Sequence, residues 1–151
     1  MYMKHIFGIV ITVLIALAGC GKNKGATSSY NEPHYNEVEE YHIEWKELFN
    51  QDNDSYYAYV YSVTCTPCSM LREEIINFAK GHYVNFYFIY PSDDISFTED
   101  SSIADASLGK SSINDVYIYT TPTLIGITNK TITSYSRDYY EIKAFIESFN
   151  N

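Results

Sequence analysis

The sequence predicts an α/β domain in which a central mixed β-sheet is flanked by helices. Three observations support this prediction. Runs rich in tyrosine, valine and isoleucine alternate with segments whose apolar residues recur at helical spacing. Two cysteines separated by two residues stand where one such run passes into a helical segment. A proline, Pro122, stands beside a strand start in a later apolar run that continues into a hairpin.

The cysteine pair lies in the stretch Thr64-Cys65-Thr66-Pro67-Cys68, and the helix is expected to start at or near Pro67. A sulfur at a helix N-terminus lies beside unpaired backbone N–H groups and the positive end of the helix dipole, which favour thiolate over thiol. This assigns Cys65 as the attacking nucleophile. Cys68 lies on the same helical face and would resolve a mixed disulfide by attacking Cys65.

Two other interpretations of the cysteine pair are considered. Structural zinc needs four ligands, but the one further cysteine in the sequence is Cys20, and His34, His42 and His82 stand singly. A purely structural disulfide would stabilise weakly, because it closes a loop of two residues. The redox interpretation is therefore preferred, and we expect no metal and no organic cofactor.

The N-terminus has the composition of an export signal. Lys4 precedes an apolar run from Ile6 to Ala18, which is too short for a membrane-spanning helix and suits a signal-peptide core. The run ends Leu17-Ala18-Gly19-Cys20, which resembles the lipobox of bacterial lipoproteins. This resemblance implies cleavage after residue 19 and a lipid on Cys20, so that acyl chains would provide the anchor. The alternative is an ordinary secretory signal that leaves Cys20 as an odd cysteine.

Three regions follow from these patterns: a lipoprotein signal peptide over 1–19, a lipid-anchored flexible tether over 20–36, and one domain over 37–151. Loss of Lys4 with the signal leaves 9 basic against 19 acidic residues. This negative charge excludes nucleic-acid binding and opposes contact with anionic lipid headgroups. We expect membrane contact through the lipid alone, on the extracytoplasmic face, where disulfides persist.

In the first half of the domain, a helix is expected from Glu37 to Asn50, with Trp45 in its apolar stripe. A strand buried on both faces should follow over 56–63, and a second strand over 83–90. Between them, the helix after the cysteines should place Leu71, Ile75 and Phe78 on one face and end at Gly81 as C′. Met70 is expected in the core.

In the second half, residues 91–115 are irregular and acidic, with a short helix expected to end near Gly109. The pair Asp93-Asp94 is interpreted as part of a solvated loop, since no ligand pattern for a hard cation surrounds it. The apolar run 116–128 holds Pro122 beside a strand start, where the missing N–H of proline is tolerated. Asn129-Lys130 predicts a hairpin turn, and Asp138 should N-cap the last helix.

The order helix, strand, Cys-x-x-Cys helix, strand, short helix, proline-initiated hairpin and helix resembles the thioredoxin fold over roughly residues 37–150. The resemblance implies that Cys65 and Cys68 are the nucleophilic and resolving cysteines. It also implies that Thr121-Pro122 is the cis-proline segment, which offers backbone to an extended substrate strand beside the dithiol. An active-site loop of Thr64, Thr66 and Pro67 would complete the site.

Two positions depart from the thioredoxin pattern. Thr64 stands where thioredoxins usually have tryptophan, and Tyr59 stands where they carry a buried aspartate that helps to deprotonate the resolving thiol. The lipobox, the tether and the tyrosine-rich strands look closer to extracytoplasmic thioredoxin-like lipoproteins of low-GC Gram-positive bacteria. They also resemble bacteriocin-transport accessory proteins, which share this domain.

The predicted function is a membrane-tethered thiol–disulfide oxidoreductase that acts on exported cysteine-containing proteins, with a membrane electron donor or acceptor as second partner. An alternative is an accessory binding lipoprotein that uses the fold as a docking surface, for example for a transporter. A copper or haem-maturation helper would need further histidine or methionine ligands, and Met70 alone is weak support.

Overall fold

The computed structural model describes residues 34–149, in which four strands form one mixed sheet in the order β2-β1-β3-β4. β1 pairs in parallel with β2, whereas β3 runs antiparallel to both β1 and β4. The strands are β1 (Ser55–Val60), β2 (Phe86–Ile89), β3 (Thr123–Thr128) and β4 (Thr131–Ser136).

Within residues 34–149, three α-helices and three 3-10 segments accompany the sheet. The helices are α1 (Thr66–Lys80), α2 (Ser101–Asp105) and α3 (Tyr139–Glu147). The 3-10 segments are Tyr35–Tyr41, Trp45–Glu47 and Ile113–Asp115. Since α1 connects the parallel strands β1 and β2 and α3 follows the β3–β4 hairpin, the predicted thioredoxin-like α/β fold class is confirmed.

Successive residues of β1 belong to two hydrophobic cores. Tyr59 packs with apolar residues of α1 and α3, while Ala58 and Val60 pack with the buried Trp45 and Ile118. Because side chains alternate between the faces of a strand, both faces of β1 are covered. This explains why β1 has no polar residue after Ser55 apart from its tyrosine hydroxyls, as expected for a strand buried on both faces.

The helix predicted from Glu37 to Asn50 is wrong. Two 3-10 segments replace it, and between them the Ile43 N–H donates to the Phe88 carbonyl on β2 at 3.0 Å. Val38 packs in the core with α1 and α3, whereas Trp45 packs in the other core. A single helix presents one apolar stripe in one direction, so it would not place these two side chains in separate cores.

Smaller differences concern the ends of elements. Residues 116–119 are not part of β3, although Val116 and Ile118 are buried and Ile118 bridges to Phe97. At the end of α1, Gly81 is a right-handed C-cap with φ −71°, and His82 takes the left-handed conformation with φ 54°. Gly81 is therefore not the left-handed C′ residue that we predicted.

The β3–β4 turn and the start of α3 agree with the predictions from the sequence. Asn129 and Lys130 have φ values of 49° and 60° in the β3–β4 turn, which confirms the predicted hairpin. Asp138 accepts a hydrogen bond from the Glu141 N–H at 2.9 Å, which confirms it as the N-cap of α3. The Glu141 carboxylate reaches back to the Arg137 N–H at 3.1 Å.

The predicted signal peptide, 1–19, and residues 20–33 of the predicted tether lie outside the described residues. The last part of the predicted tether does not: Tyr35 starts the first 3-10 segment and packs against the core. Over the range 34–149, no helix combines the length and apolar character needed to cross a bilayer.

Candidate active site

The two cysteines lie at the start of α1, after the loop that leaves β1. Cys65 is the N-cap residue of α1 and Cys68 belongs to its first turn, and their sulfurs form a disulfide with a Cα–Cα distance of 5.2 Å. Cys65 is partly exposed, whereas Cys68 is completely buried. An incoming thiolate can therefore reach the sulfur of Cys65 but not that of Cys68.

The backbone of α1 stabilises charge on Cys65. The Cys68 N–H donates to the Cys65 Sγ at 3.1 Å, so the sulfur accepts one of the unpaired donors of the helix start. α1 is 15 residues long, and its dipole places partial positive charge at the same end. In the reduced protein these interactions favour the thiolate of Cys65, the form that acts as nucleophile.

The cis-proline segment faces the exposed sulfur. The Thr121–Pro122 peptide bond is cis, and the Thr121 carbonyl oxygen lies 3.1 Å from the Cys65 Sγ. The conformation of this loop is held by Thr123, whose buried hydroxyl donates to the Thr120 carbonyl at 2.6 Å. The structure thus brings Cys65 and Cys68 next to Thr121, which precedes the cis-proline Pro122.

The rest of the active-site loop is open to solvent. Thr64, Thr66 and Pro67 are exposed, and the Thr64 Oγ1 lies 3.0 Å from the Ser62 Oγ. Pro67 lies in the first turn of α1, where its missing N–H costs no helical hydrogen bond.

Two apolar side chains beside the loop are also exposed. Val63 has 66% and Met70 has 59% of its surface accessible, so the prediction that Met70 lies in the core is wrong. Val63 precedes Cys65 by two positions and Met70 follows Cys68 by two, so both stand next to the loop in the chain.

Sequence reasoning missed an aromatic cluster behind Cys68. The Tyr35 hydroxyl donates to the Cys68 carbonyl at 3.3 Å, and its ring stacks on Tyr61 with centroids 3.7 Å apart. The Tyr61 hydroxyl lies 2.9 Å from the His42 Nε2. Because Tyr35 and Cys68 are 33 positions apart and Tyr35 fell in the predicted tether, no local pattern pointed to this contact.

Burial dominates the electrostatics of this cluster. It raises the pKa of Tyr35 to about 12, against smaller lowering effects from the Tyr59 hydroxyl and the Arg72 charge. Burial likewise raises the pKa values of Tyr59 and Tyr61. All three phenols are therefore neutral at physiological pH and can act as hydrogen-bond donors.

Metal ligands do not converge anywhere in the described part of the chain: no group of three or more His, Cys, Asp or Glu side chains is placed to hold an ion. Within the same residues, no histidine, aspartate or glutamate forms a metal-binding group with Cys65 and Cys68, which are bonded to each other.

No protein-family model matches the sequence, and no curated protein matches it either. Solved structures similar to this chain include thioredoxin f2 of Chlamydomonas reinhardtii, at 14% identity and TM-score 0.48, covering 71% of this chain and 93% of that one. Mitochondrial thioredoxin 3 of Saccharomyces cerevisiae, in its oxidised form, has 16% identity and TM-score 0.45, with 71% and 92% covered. A mutant thioredoxin of Halobacterium salinarum has 20% identity and TM-score 0.41, with 73% and 91% covered.

Proposed function

We propose that the protein is a thiol–disulfide oxidoreductase that is tethered by a lipid on Cys20 to the extracytoplasmic face of the cell membrane and acts on exported proteins. The observation that carries the proposal is the position of the Cys65 sulfur. Cys65 is partly exposed, and its sulfur accepts the Cys68 N–H at 3.1 Å and lies 3.1 Å from the Thr121 carbonyl oxygen. The tether and the location rest on the sequence of residues 1–20.

The exchange proceeds through a mixed disulfide. In the reducing direction, the Cys65 thiolate attacks a client disulfide, forming a bond to one client sulfur and releasing the other as a thiolate. Cys68 then loses its proton and attacks Cys65, which releases the second client sulfur and forms the Cys65–Cys68 disulfide. In the oxidising direction the same steps run in reverse, and the client receives the disulfide.

The client polypeptide is expected to lie extended along Thr121 and Pro122. Backbone beside an accessible sulfur offers hydrogen bonds that do not depend on client sequence. Apolar contact with Val63 and Met70 would add affinity, since both side chains are exposed next to the loop. A client segment bound there would bring its sulfur in line with the Cys65 sulfur.

Trapping of mixed disulfides tests the proposal. In cells that carry the Cys68→Ser variant, covalent complexes with exported proteins should accumulate, because the resolving sulfur is missing. The matched Cys65→Ser variant should form none. If Cys68→Ser forms no complex, and a Cys65→Ser, Cys68→Ser double variant still supports growth as the parent does, the protein is an accessory docking lipoprotein instead.

The reduction potential decides the direction of exchange. It is measured by equilibrating the full chain, with Cys20→Ser, in defined thiol buffers. A value near the ~−270 mV of thioredoxin identifies a reductase fed by a membrane electron donor, whereas a value near ~−120 mV identifies a disulfide donor.

A further inference from the structure

We propose that the Tyr35 hydroxyl gives a hydrogen bond and then a proton to the Cys68 sulfur when the disulfide opens, and that Tyr59 is a positioning residue that acts through Tyr35. This inference rests on the proposed thiol exchange and names residues of the same site. It concerns the buried side of the disulfide, which faces away from the client.

When the disulfide opens, negative charge forms on the Cys68 sulfur, which is buried in the hydrophobic core. When a thiolate attacks the Cys65 sulfur, the S–S bond breaks and its electron pair goes to the Cys68 sulfur. Cys68 is 0% exposed, so water does not solvate this thiolate directly. A nearby donor must supply first a hydrogen bond and then a proton, and no oxidant or reductant other than the attacking thiol is needed.

Tyr35 is the donor that the structure holds against Cys68. Its hydroxyl donates to the Cys68 carbonyl at 3.3 Å, and its ring is fixed by stacking on Tyr61. Tyr61 is fixed in turn through its hydroxyl, which lies 2.9 Å from the His42 ring. When the S–S bond breaks, the Cys68 sulfur is free to turn about its Cα–Cβ bond, and the phenol hydrogen can rotate about the C–O bond, so the hydroxyl can leave the carbonyl for the sulfur of the same residue.

Tyr35 also has a route to solvent. It lines a surface cavity of about 340 Å³ together with the exposed residues His34, Asn36 and Val63. After giving a proton to Cys68, its oxygen can take a replacement from water in this cavity. When the disulfide closes again, the proton of Cys68 returns along the same path.

Tyr59 explains how the Tyr35 oxygen tolerates partial negative charge. Tyr59 is 0% exposed, and within residues 34–149 its hydroxyl makes no hydrogen bond of normal length and angle in the oxidised protein, although it lies close enough to the Tyr35 hydroxyl to act on the pKa of that group. An unpaired buried hydroxyl costs stability, and phenylalanine would fill nearly the same volume without that cost. The Tyr59 hydroxyl acts to lower the pKa of Tyr35, as does the Arg72 charge, so it supports negative charge on that oxygen.

The test measures how fast dithiothreitol reduces the oxidised full chain, with Cys20→Ser, in H₂O and in D₂O. The Tyr35→Phe variant should be reduced roughly tenfold more slowly, and the solvent isotope effect should fall, because the proton donor is lost. Tyr59→Phe should slow the reaction by a smaller factor while its unfolding midpoint stays the same or rises. If Tyr59 had a purely structural role, Tyr59→Phe would not slow reduction while its unfolding midpoint stayed the same or rose.

Tyr56→Phe is the matched control. Tyr56 is also buried, and its hydroxyl donates to the Leu48 carbonyl in the other core, so its removal should lower stability and leave the rate unchanged. A parental rate and isotope effect in Tyr35→Phe would overturn the proposal, and a parental rate in Tyr59→Phe would overturn the part assigned to that residue. Dithiothreitol needs no client. If these variants are reduced more slowly by dithiothreitol but the Cys68→Ser variant traps no client, this inference therefore stands and the proposed function is refuted.

Discussion

The Cys65 Sγ lies 3.1 Å from the Thr121 carbonyl oxygen, although the two residues are 56 positions apart in the chain. The contact joins the start of α1 to the loop that enters β3. These elements meet because β1 pairs with β3 in register from Val60 and Thr123 at this end to Ser55 and Thr128 at the other. The sheet therefore sets the distance between the sulfur and the backbone that would align a client.

Cys65 should be alkylated before Cys68 in the reduced protein. Cys65 is partly exposed and its thiolate is stabilised by the Cys68 N–H, whereas Cys68 is buried. Brief treatment with iodoacetamide at neutral pH, followed by peptide mass analysis, should find the label on Cys65. In urea the two residues should be labelled at similar rates. Label on Cys68 first in the folded protein would contradict the assigned roles.

Thr123→Val should weaken the loop at the site. The buried Thr123 hydroxyl donates to the Thr120 carbonyl at 2.6 Å, and valine has nearly the same shape without the donor. We expect a loss of about 1 kcal/mol in the free energy of unfolding. Client exchange should also slow, because the Thr121 carbonyl is held less firmly.

Thr133→Val is the control for this prediction. For both variants, denaturant titration measures the free energy of unfolding, and a thiol–disulfide exchange assay measures the rate relative to the parent. Thr133 is an exposed residue of the edge strand β4, and its hydroxyl donates to the Gly126 carbonyl on β3 at 3.3 Å. Exchange by this variant should match the parent. An equal loss of exchange in both threonine variants would show that loop position is not the cause.

Val38→Ala should destabilise the domain by about 2 kcal/mol, because a fully buried side chain is truncated and a cavity remains. Val38 packs in the core with α1 and α3, so the segment that contains it is part of the domain. Val63→Ala, at an exposed position, should change stability by less than about 0.5 kcal/mol. Equal denaturant midpoints for Val38→Ala and the parent would place the segment outside the core.

The contact between Glu37 and Lys80 should stabilise the protein at neutral pH and not at acidic pH. Their side chains are 2.7 Å apart, and the hydrogen bond from Lys80 lowers the pKa of Glu37 below its ordinary value. A carboxyl whose pKa is lower in the folded state contributes stability above its unfolded pKa and loses that contribution as pH falls through its folded pKa. Since both groups are exposed, the effect should be small.

Denaturant titrations of Glu37→Gln and the parent test this prediction. The difference between them should be present at pH 7 and should shrink at pH values below the ordinary range of glutamate. A difference that grows on acidification would contradict the assigned sign. Asp54→Asn, at an exposed turn residue, serves as the control.

The sequence alone was sufficient for the features that depend on neighbouring residues. The Cys-x-x-Cys pair at a helix start, the Asp138 cap and the Asn129-Lys130 turn each follow from the chemistry of a few consecutive positions. The α/β class followed from the alternation of patterns. Local signals failed for residues 37–50, because helical spacing of apolar residues does not reveal that they serve two cores.

Tertiary structure decided which distant groups surround the disulfide. The sequence identified Cys65, Cys68 and Pro122 as residues of one site through a resemblance, but only the pairing of β1 with β3 gives the distance between sulfur and Thr121 carbonyl. The contact of Tyr35 with Cys68, and the unpaired hydroxyl of Tyr59, have no sequence signature. Local patterns encode backbone conformation and the face of an element, whereas side-chain contacts across the fold depend on how all elements pack together.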